Sequence, residues 1–150
     1  LATYYADITR SAKHPAGGAA SLHVLDADEP YVAGVSFHAT PPSKRFCEIA
    51  QLSGGERTLA SLALLFAIHH YHPAPFMIMD EVDAALDNIN VAKLAAFVKH
   101  QARSLQIIAV SLKDQFYAEA HSLVGLAKDL DRASSKALCL DLAKYGASRS

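Results

Sequence analysis

Two apolar runs joined by one helix constrain the fold of this chain more than any other feature. Residues 76–79 read FMIM and lead into Asp80-Glu81, residues 105–110 read LQIIAV, and amphipathic helical periodicity lies between them, from about residue 90 to 102. A connection of this length returns the chain so that the second strand runs parallel to the first. The sequence therefore predicts a buried parallel strand–helix–strand unit and an α/β fold class for this part.

The segments on either side of this unit have other patterns. A helical pattern opens the chain and ends at the breaker PAGG, and a long helix follows Ser53 and ends at Pro73. Apolar side chains occupy nearly every side of that long helix, so we expect it to be deeply buried. A short helix is predicted over residues 113–121. The remaining predicted strands, antiparallel in the N-terminal part, cover residues 20–25, 31–39, 45–49, 123–127 and 136–142.

The stretch QLSGGERT marks the start of the long helix and predicts a binding surface for an anion. Ser53 and Glu56 have the spacing of a capping box, which places Gly54 and Gly55 in the first helical turn. N–H groups in that turn have no partner within the helix, and the helix dipole adds partial positive charge. Glycine has no side chain to hold a phosphate away from these donors. An ordinary loop-to-helix turn is the alternative interpretation of this motif alone.

Two carboxylates follow the first apolar strand, at the sheet edge where α/β proteins bind ligands. Asp80 is placed to hold Mg²⁺ through water, and Glu81 to polarise an attacking water as a general base. Asp83 and Asp87 make the loop strongly acidic, and carboxylates this close repel one another unless a cation or partner charge lies among them. Two exposed acids in a turn are the alternative.

Length and charge set limits on the function. The chain has 150 residues, is 51% hydrophobic and carries a net charge of −1, which fits one soluble domain with a sizeable core. No overall basic field predicts nucleic-acid binding, so any DNA contact must come from a local patch or an assembled complex. No apolar run approaches the length of about 20 residues that a bilayer crossing needs, so no membrane partner is expected.

In combination, these motifs resemble those of a known family. LSGGE, an apolar strand ending in Asp80-Glu81, and then AALD at residues 84–87 resemble, in order and spacing, the C-terminal half of an ABC-type ATPase head. VDAALD at residues 82–87 is similar to the SMC family of chromosome-organising ATPases. Stretches that resemble its cohesin branch, and there the first SMC subunit, are residues 29–31, 41–46, 63–68, 73–76, 110–113 and 140–145.

The resemblance implies a nucleotide-binding role for two segments. The signature motif would press on the γ-phosphate of an ATP held by an opposing head. The D-loop, including Asp87, would cross the interface between heads. The cofactor-binding residues implied in this way are Leu52, Ser53, Gly54, Gly55, Glu56 and Asp87.

The resemblance also implies the chemistry of the acidic pair. Asp80 corresponds to the Walker B carboxylate that binds Mg²⁺, and Glu81 to the catalytic glutamate of ATP hydrolysis. Leu112 falls where ABC ATPases usually carry a switch histidine, and a leucine cannot hydrogen-bond the γ-phosphate. The cohesin-type subunit is similar in this departure.

The domain organisation implied by the resemblance is one lobe, residues 1–150, with the mixed sheet and flanking helices of a P-loop NTPase-like head. Residues 1–11 would end a coiled-coil neck, residues 20–50 form antiparallel strands, and residues 51–150 carry the signature motif, Walker B strand, D-loop and C-terminal strands. The phosphate-loop motif G-x-x-x-x-G-K-[S/T] does not occur in the sequence. We therefore expect a missing N-terminal lobe to supply it and the fragment alone to be inactive.

The resemblance implies partners and a cellular role as well. The partners would be the N-terminal lobe, a second SMC head forming a heterodimer, the winged-helix domain of a kleisin subunit, and DNA held by the assembled complex. ATP and Mg²⁺ would be the cofactors, and the site of action the chromosome in the nucleus, in sister chromatid cohesion. The alternatives are a DNA-repair lobe of the same superfamily, and a lobe that dimerises without hydrolysing ATP.

Overall fold

The computed structural model describes residues 1–42, 44, 48–129 and 131–144. Within those ranges, no helix combines the length and the apolar character that a bilayer crossing requires. The helices are α1 (Ala2–Thr9), α2 (Pro30–Ala33), α3 (Gly54–Tyr71), α4 (Asn88–Gln101) and α5 (Asp114–Tyr117), with short 3-10 turns at Ile49–Gln51 and Leu142–Lys144. The strands are β1 (Ala19–Val24), β2 (Val35–Thr40), β3 (Phe76–Asp80), β4 (Gln106–Val110), β5 (Ser122–Asp129) and β6 (Ser134–Asp141).

The parallel strand–helix–strand unit is confirmed. β3 and β4 pair in parallel with residues 76–80 opposite residues 106–110, and α4 connects them. In this register Asp80 lies opposite Val110, so the acidic pair and the segment after β4 share the carboxyl end of the two strands. This end of the unit is therefore where the chain places its polar side chains for a site.

The antiparallel strands are confirmed in part. β1 pairs with β2 and β5 with β6, both antiparallel. The prediction of a strand over residues 31–39 was wrong for its first part, because Pro30 at the first helical position favours the short helix α2. In the predicted strand over residues 45–49, residues 45–47 lie outside the described residues. Glu48 makes a single bridge to His38, and a 3-10 turn follows. Residue 145 of the C-terminal resemblance also lies outside them.

The described strands form three separate two-stranded sheets, where the sequence predicted one mixed sheet. Parallel and antiparallel pairs are both present, which is the mixed α/β character expected. The prediction that β3 is buried was wrong for one of its two faces. Its alternate residues Met77 and Met79 are buried, whereas Phe76 and Ile78 are exposed on the opposite face. Ile108 and Val110 of β4 are exposed as well.

The long helix α3 is buried on one side only, which corrects the prediction of burial nearly all round. Leu59, Leu62 and Phe66 are buried in the core, while Leu65 and Ile68 are about half exposed. The difference arises because α1, the β1–β2 pair and the α4 side of the core cover only one side of α3. The predicted helix over residues 113–121 is also shorter, since only Asp114–Tyr117 is helical.

The helix α1 packs against α3 and the start of β1. Tyr5 and Ile8 are fully buried, and Thr9 accepts a 2.7 Å hydrogen bond from the N–H of Gly18, just before β1. Tyr4 lies 6.3 Å from Phe66 of α3, measured between ring centroids. These contacts fix α1 to α3, the helix that begins at the glycine pair.

Candidate functional site

The N-terminus of α3 has the geometry that its motif predicts. Ser53 is the N-cap, and its hydroxyl accepts a 3.3 Å hydrogen bond from the N–H of Glu56. The Glu56 carboxylate accepts a 2.8 Å bond from the N–H of Ser53, which completes the capping box. Gly54 and Gly55 are the first two residues of the helix. The first turn therefore begins at a fixed position with its glycine N–H groups at the open end of the helix.

Lys44 adds a positive charge to this helix end. Its ammonium lies 2.7 Å from the Glu56 carboxylate. Partial burial alone would raise the pKa of Glu56, but the hydrogen bonds from Lys44 and Ser53 outweigh it and hold that pKa below its ordinary value. The sequence analysis did not assign Lys44 to the site. Seven positions separate Lys44 from Leu52, where the LSGGE motif begins, and they give no periodic signal that would have done so.

The two glycines have different surroundings. A methyl group built on Gly54 would meet nothing within 4 Å, so this residue opens to space. A methyl group on Gly55 would lie 3.2 Å from the carbonyl oxygen of Ala85 and 3.5 Å from the Leu86 side chain. The helix end therefore lies against the loop that follows the acidic pair. Gly54 is the glycine free to meet a ligand, and Gly55 permits the close approach of the loop.

Leu52 has a structural environment. Its side chain is buried in the cluster formed with Tyr5, Ala39 and Ala60. Only its main chain could reach a ligand, so the leucine side chain serves to anchor the motif to the core. Arg57 reinforces this anchor by donating to the carbonyl oxygens of Ala50 and Leu52, each at 3.4 Å.

Asp80 and Glu81 lie exposed at the carboxyl end of β3. Glu81 has a positive φ of 48°, one of two such non-glycine residues among those described. Its N–H donates a 2.9 Å hydrogen bond to the carbonyl of Val110. A non-glycine residue pays roughly 1–2 kcal/mol for this conformation, which is common at functional sites. The sequence gives no sign of this strain.

Two carboxylates of the acidic loop have hydrogen-bond partners within the chain. Asp83 is 2% exposed and accepts a 2.6 Å hydrogen bond from the Ser111 hydroxyl. Asp87 caps α4 by accepting a 2.8 Å bond from the N–H of Asn90. Asp80, Glu81 and Asp87 are exposed, and Asp83 is buried. Ser111 was missed in the sequence, although its place directly after a parallel strand puts it at the same edge as Asp80.

Two residues after β4 border the acidic loop. Leu112, which the resemblance aligns with a switch histidine, is 85% exposed. Lys113 donates from its ammonium to the carbonyl oxygen of Leu86 at 2.5 Å, and its N–H donates to the Ser111 hydroxyl at 3.0 Å. Lys113 lies in the stretch 110–113 that carries the family resemblance, but it was assigned no role there, because its partner Leu86 is 27 residues away in sequence.

This chain offers carboxylate oxygens that could contribute part of a Mg²⁺ site. Across the described part of the chain, no group of three or more His, Cys, Asp or Glu side chains is arranged to hold a metal. Mg²⁺ in nucleotide sites is commonly held by one or two carboxylates together with phosphate oxygens and water. The exposed carboxylate of Asp80 fits that role as the contribution of this chain.

Comparison with protein families gives one match over most of the chain. Residues 18–135 match the family described as the RecF/RecN/SMC N terminal domain.

Individual relatives cover almost the whole chain. Structural maintenance of chromosomes protein 1 of Schizosaccharomyces pombe is 49% identical over 142 residues, which are 94% of this chain and 12% of that protein. The protein of the same name from Arabidopsis thaliana is 46% identical over 154 residues, 94% of this chain and 13% of that protein. This chain thus spans only about an eighth of the length of these curated relatives.

Solved structures share the fold. One, described as the structural biochemistry of ATP-driven dimerization and DNA stimulated activation of SMC ATPases, has a TM-score of 0.78 and 31% identity, covering 96% of this chain and 85% of that chain. Another, an SmcHead bound to the C-winged helix domain of ScpA, has a TM-score of 0.82 and 33% identity, covering 96% of this chain and 42% of that chain.

Proposed function

The chain belongs to the SMC family of ATPase heads and resembles structural maintenance of chromosomes protein 1, and we propose that it is the C-terminal lobe of a cohesin-type head. In this role it contributes the signature motif and the Walker B strand to ATP-dependent head engagement and ATP hydrolysis. The observation that carries the proposal is the approach of Gly55 to Ala85 and Leu86, which puts the open helix end beside the loop that begins at Asp80-Glu81.

Two features support the C-terminal placement. The matched family carries an N-terminal description, whereas the motif order in this chain, signature motif before Walker B and D-loop, favours the C-terminal half. The exposed face of β3 and β4, formed by Phe76, Ile78, Ile108 and Val110, offers apolar surface for another lobe. Parallel strands are normally covered on both faces, so we assign this face to the N-terminal lobe that holds the phosphate loop.

The chain serves two nucleotides from its two polar surfaces. The first turn of α3 offers the N–H groups around Gly54 and the positive end of the helix dipole to the terminal phosphate of an ATP bound by the opposing head. Asp80 and Glu81 face the ATP bound by the chain's own N-terminal lobe. ATP then holds the two heads together, and its hydrolysis releases them.

Glu81 is the general base of this proposal. Its strained main chain is fixed by the bond to Val110, and its side chain is exposed at the end of β3. There it accepts the proton of the attacking water. Asp80 would hold Mg²⁺, which neutralises charge on the phosphates. The fragment alone lacks the phosphate loop and is inactive.

The proposed partners follow from the same assignment. They are a second SMC head in a heterodimer, the N-terminal lobe, the winged-helix domain of a kleisin, and DNA through the assembled complex. A solved relative with a ScpA C-winged helix domain bound supports the kleisin partner. The proposed cellular role is sister chromatid cohesion on chromosomes in the nucleus, supported by the similarity to structural maintenance of chromosomes protein 1.

One observation favours a second candidate, a lobe that engages a partner head without hydrolysing ATP. Leu112 presents an exposed aliphatic side chain where a hydrogen-bonding residue would orient the γ-phosphate. The intact Glu81 favours hydrolysis.

ATP turnover and head engagement separate these functions. The full-length protein is assembled with its partner head, and the partner's own base is removed so that only this chain's site turns over. Glu81→Gln should lower turnover about a hundredfold or more while ATP-dependent engagement persists. Glu29→Gln, on the exposed β1–β2 connection, is the matched control and should leave both unchanged.

Two results would count against the proposal. Equal turnover of the wild type and Glu81→Gln would exclude Glu81 as the base, and engagement without any turnover in the wild type would favour the second candidate. Ser53→Arg places bulk at the helix end and should abolish engagement. Unchanged engagement would exclude the signature role.

A further inference from the structure

We propose that Lys113 is a positioning residue that couples the two nucleotide surfaces of this lobe. A change at the chain's own site, at Asp80 and Glu81, would then alter the geometry of the other site, which the N-terminus of α3 completes. This inference rests on the proposed function. It concerns the ammonium of Lys113, the loop at residues 84–87 and the first turn of α3.

The main chain of Lys113 is anchored beside the chain's own site. Its N–H bonds to the Ser111 hydroxyl, which in turn donates to the buried Asp83 carboxylate. Glu81 is tied to Val110, the last residue of β4. The segment at residues 111–113 is therefore linked by hydrogen bonds to the strand end and the loop that carry the acidic pair.

The side chain of Lys113 reaches a different segment. Its ammonium donates to the carbonyl oxygen of Leu86, 27 residues away in sequence, at 2.5 Å. None of the ion pairs found among the described residues includes Lys113. A lysine that fixes its long side chain on one main-chain carbonyl loses rotamer entropy. In this case the bond holds the loop at Leu86 in position.

The loop lies close enough to the first turn of α3 to transmit that position. The Leu86 side chain is buried, and a methyl on Gly55 would lie only 3.5 Å from it and 3.2 Å from the Ala85 carbonyl oxygen. The gap between the loop and the helix end is therefore too small to take a methyl group without compression, so a displacement of about 1 Å at Leu86 toward α3 would reach Gly55. Lys113 thus completes a continuous path from Asp83 to the glycine pair.

The test uses the full-length protein with its partner head, in a Glu81→Gln background. Only the nucleotide held by the partner is then hydrolysed, and this chain contributes only the helix end to that site. Lys113→Met removes the hydrogen bond while keeping an unbranched side chain. We expect it to lower the remaining kcat about fivefold, with a smaller change in the KM for ATP, since a charged donor is lost from the path. Lys113→Arg keeps a donor and should restore most of the turnover.

The matched control is Lys13→Met, on the exposed loop after α1, which should leave turnover unchanged. The inference is overturned if the Glu81→Gln protein has the same ATP turnover with and without Lys113→Met, since Lys113 would then act only at the chain's own site. It is also overturned if turnover falls together with the thermal unfolding midpoint and Lys113→Arg restores neither. Failure of the proposed function is recognised separately, by Ser53→Arg heads that engage normally in ATP.

Discussion

The N–H of Glu81 donates a 2.9 Å hydrogen bond to the carbonyl oxygen of Val110, while Glu81 itself holds a positive φ of 48°. The bond extends the β3–β4 pairing by one residue beyond Asp80, in a conformation that L-residues rarely adopt. The strain falls on the one residue to which we assign proton transfer. This coincidence is the structural reason to treat the exposed carboxylate as functional.

The strain at Glu81 predicts an unusual order of stability among its variants. Asn tolerates a left-handed main chain, whereas a β-branched residue does not. Glu81→Val should therefore destabilise the head by about 1–2 kcal/mol more than Glu81→Asn. Thermal unfolding of the ATP-free head measures the difference. Ala133, the other non-glycine residue with a positive φ among those described (47°), should show the same order between its Val and Asn variants. Equal unfolding free energies for Glu81→Val and Glu81→Asn would exclude main-chain strain at this position.

The two glycines of the signature motif should separate stability from engagement. Gly54→Ala adds a methyl group in open space at a helical position, so the unfolding midpoint should stay unchanged or rise slightly. The same methyl stands where the phosphate would dock, so ATP-dependent engagement should weaken at least about tenfold.

Gly55→Ala provides the structural counterpart. Its methyl would press on the Ala85 carbonyl at 3.2 Å, so the unfolding midpoint should fall along with engagement. Calorimetry and a crosslinking assay in ATP report the two properties. A Gly54→Ala protein that engages normally would show that this open surface does not receive a phosphate.

Whether a feature could be predicted from the sequence depends on how far apart in the sequence the interacting residues lie. The capping box at Ser53 and Glu56 and the parallel pairing of β3 with β4 were predictable, because short spacings and one connection length determine them. The Lys113–Leu86 bond was not, because it joins positions 27 residues apart and leaves no periodic pattern. The strain at Glu81 arises from tertiary contacts that no local propensity records.

Burial was predicted less well, for a related reason. Apolar patterning shows which residues need cover, and it does not say which part of a protein provides that cover. Ile78 and Leu65 are apolar enough for a core, yet in this chain they are exposed. The sequence thus described correctly the chemical character of these faces and was wrong about their surroundings in the chain.

The lowered pKa of Glu56 predicts an acid-sensitive head. Because its pKa is lower in the folded state than the ordinary 4.5, the charged carboxylate stabilises the fold above that pH, and the contribution is lost as pH falls through the folded value. The wild-type unfolding midpoint should therefore drop more steeply than that of Glu56→Gln on acidification below about pH 5. Ser53→Ala, which removes the cap oxygen, should cost about 1 kcal/mol near neutral pH. Parallel acid slopes for wild type and Glu56→Gln would contradict the charge-based cap.

The exposed apolar face of the parallel strands gives a direct test of the missing lobe. Ile78 is 62% exposed in this chain and Ile89, in the first turn of α4, is 71% exposed. If the N-terminal lobe covers β3 and β4, Ile78→Thr should destabilise the full-length head by about 1.5–3 kcal/mol, because it removes apolar contact from a buried interface. Ile89→Thr, measured without ATP so that heads stay apart, should change stability by about 0.5 kcal/mol or less. Both variants keep a β-branched side chain, so conformational preference largely cancels between them. Equal, small effects would mean that this face stays in water and that the C-terminal lobe assignment is wrong.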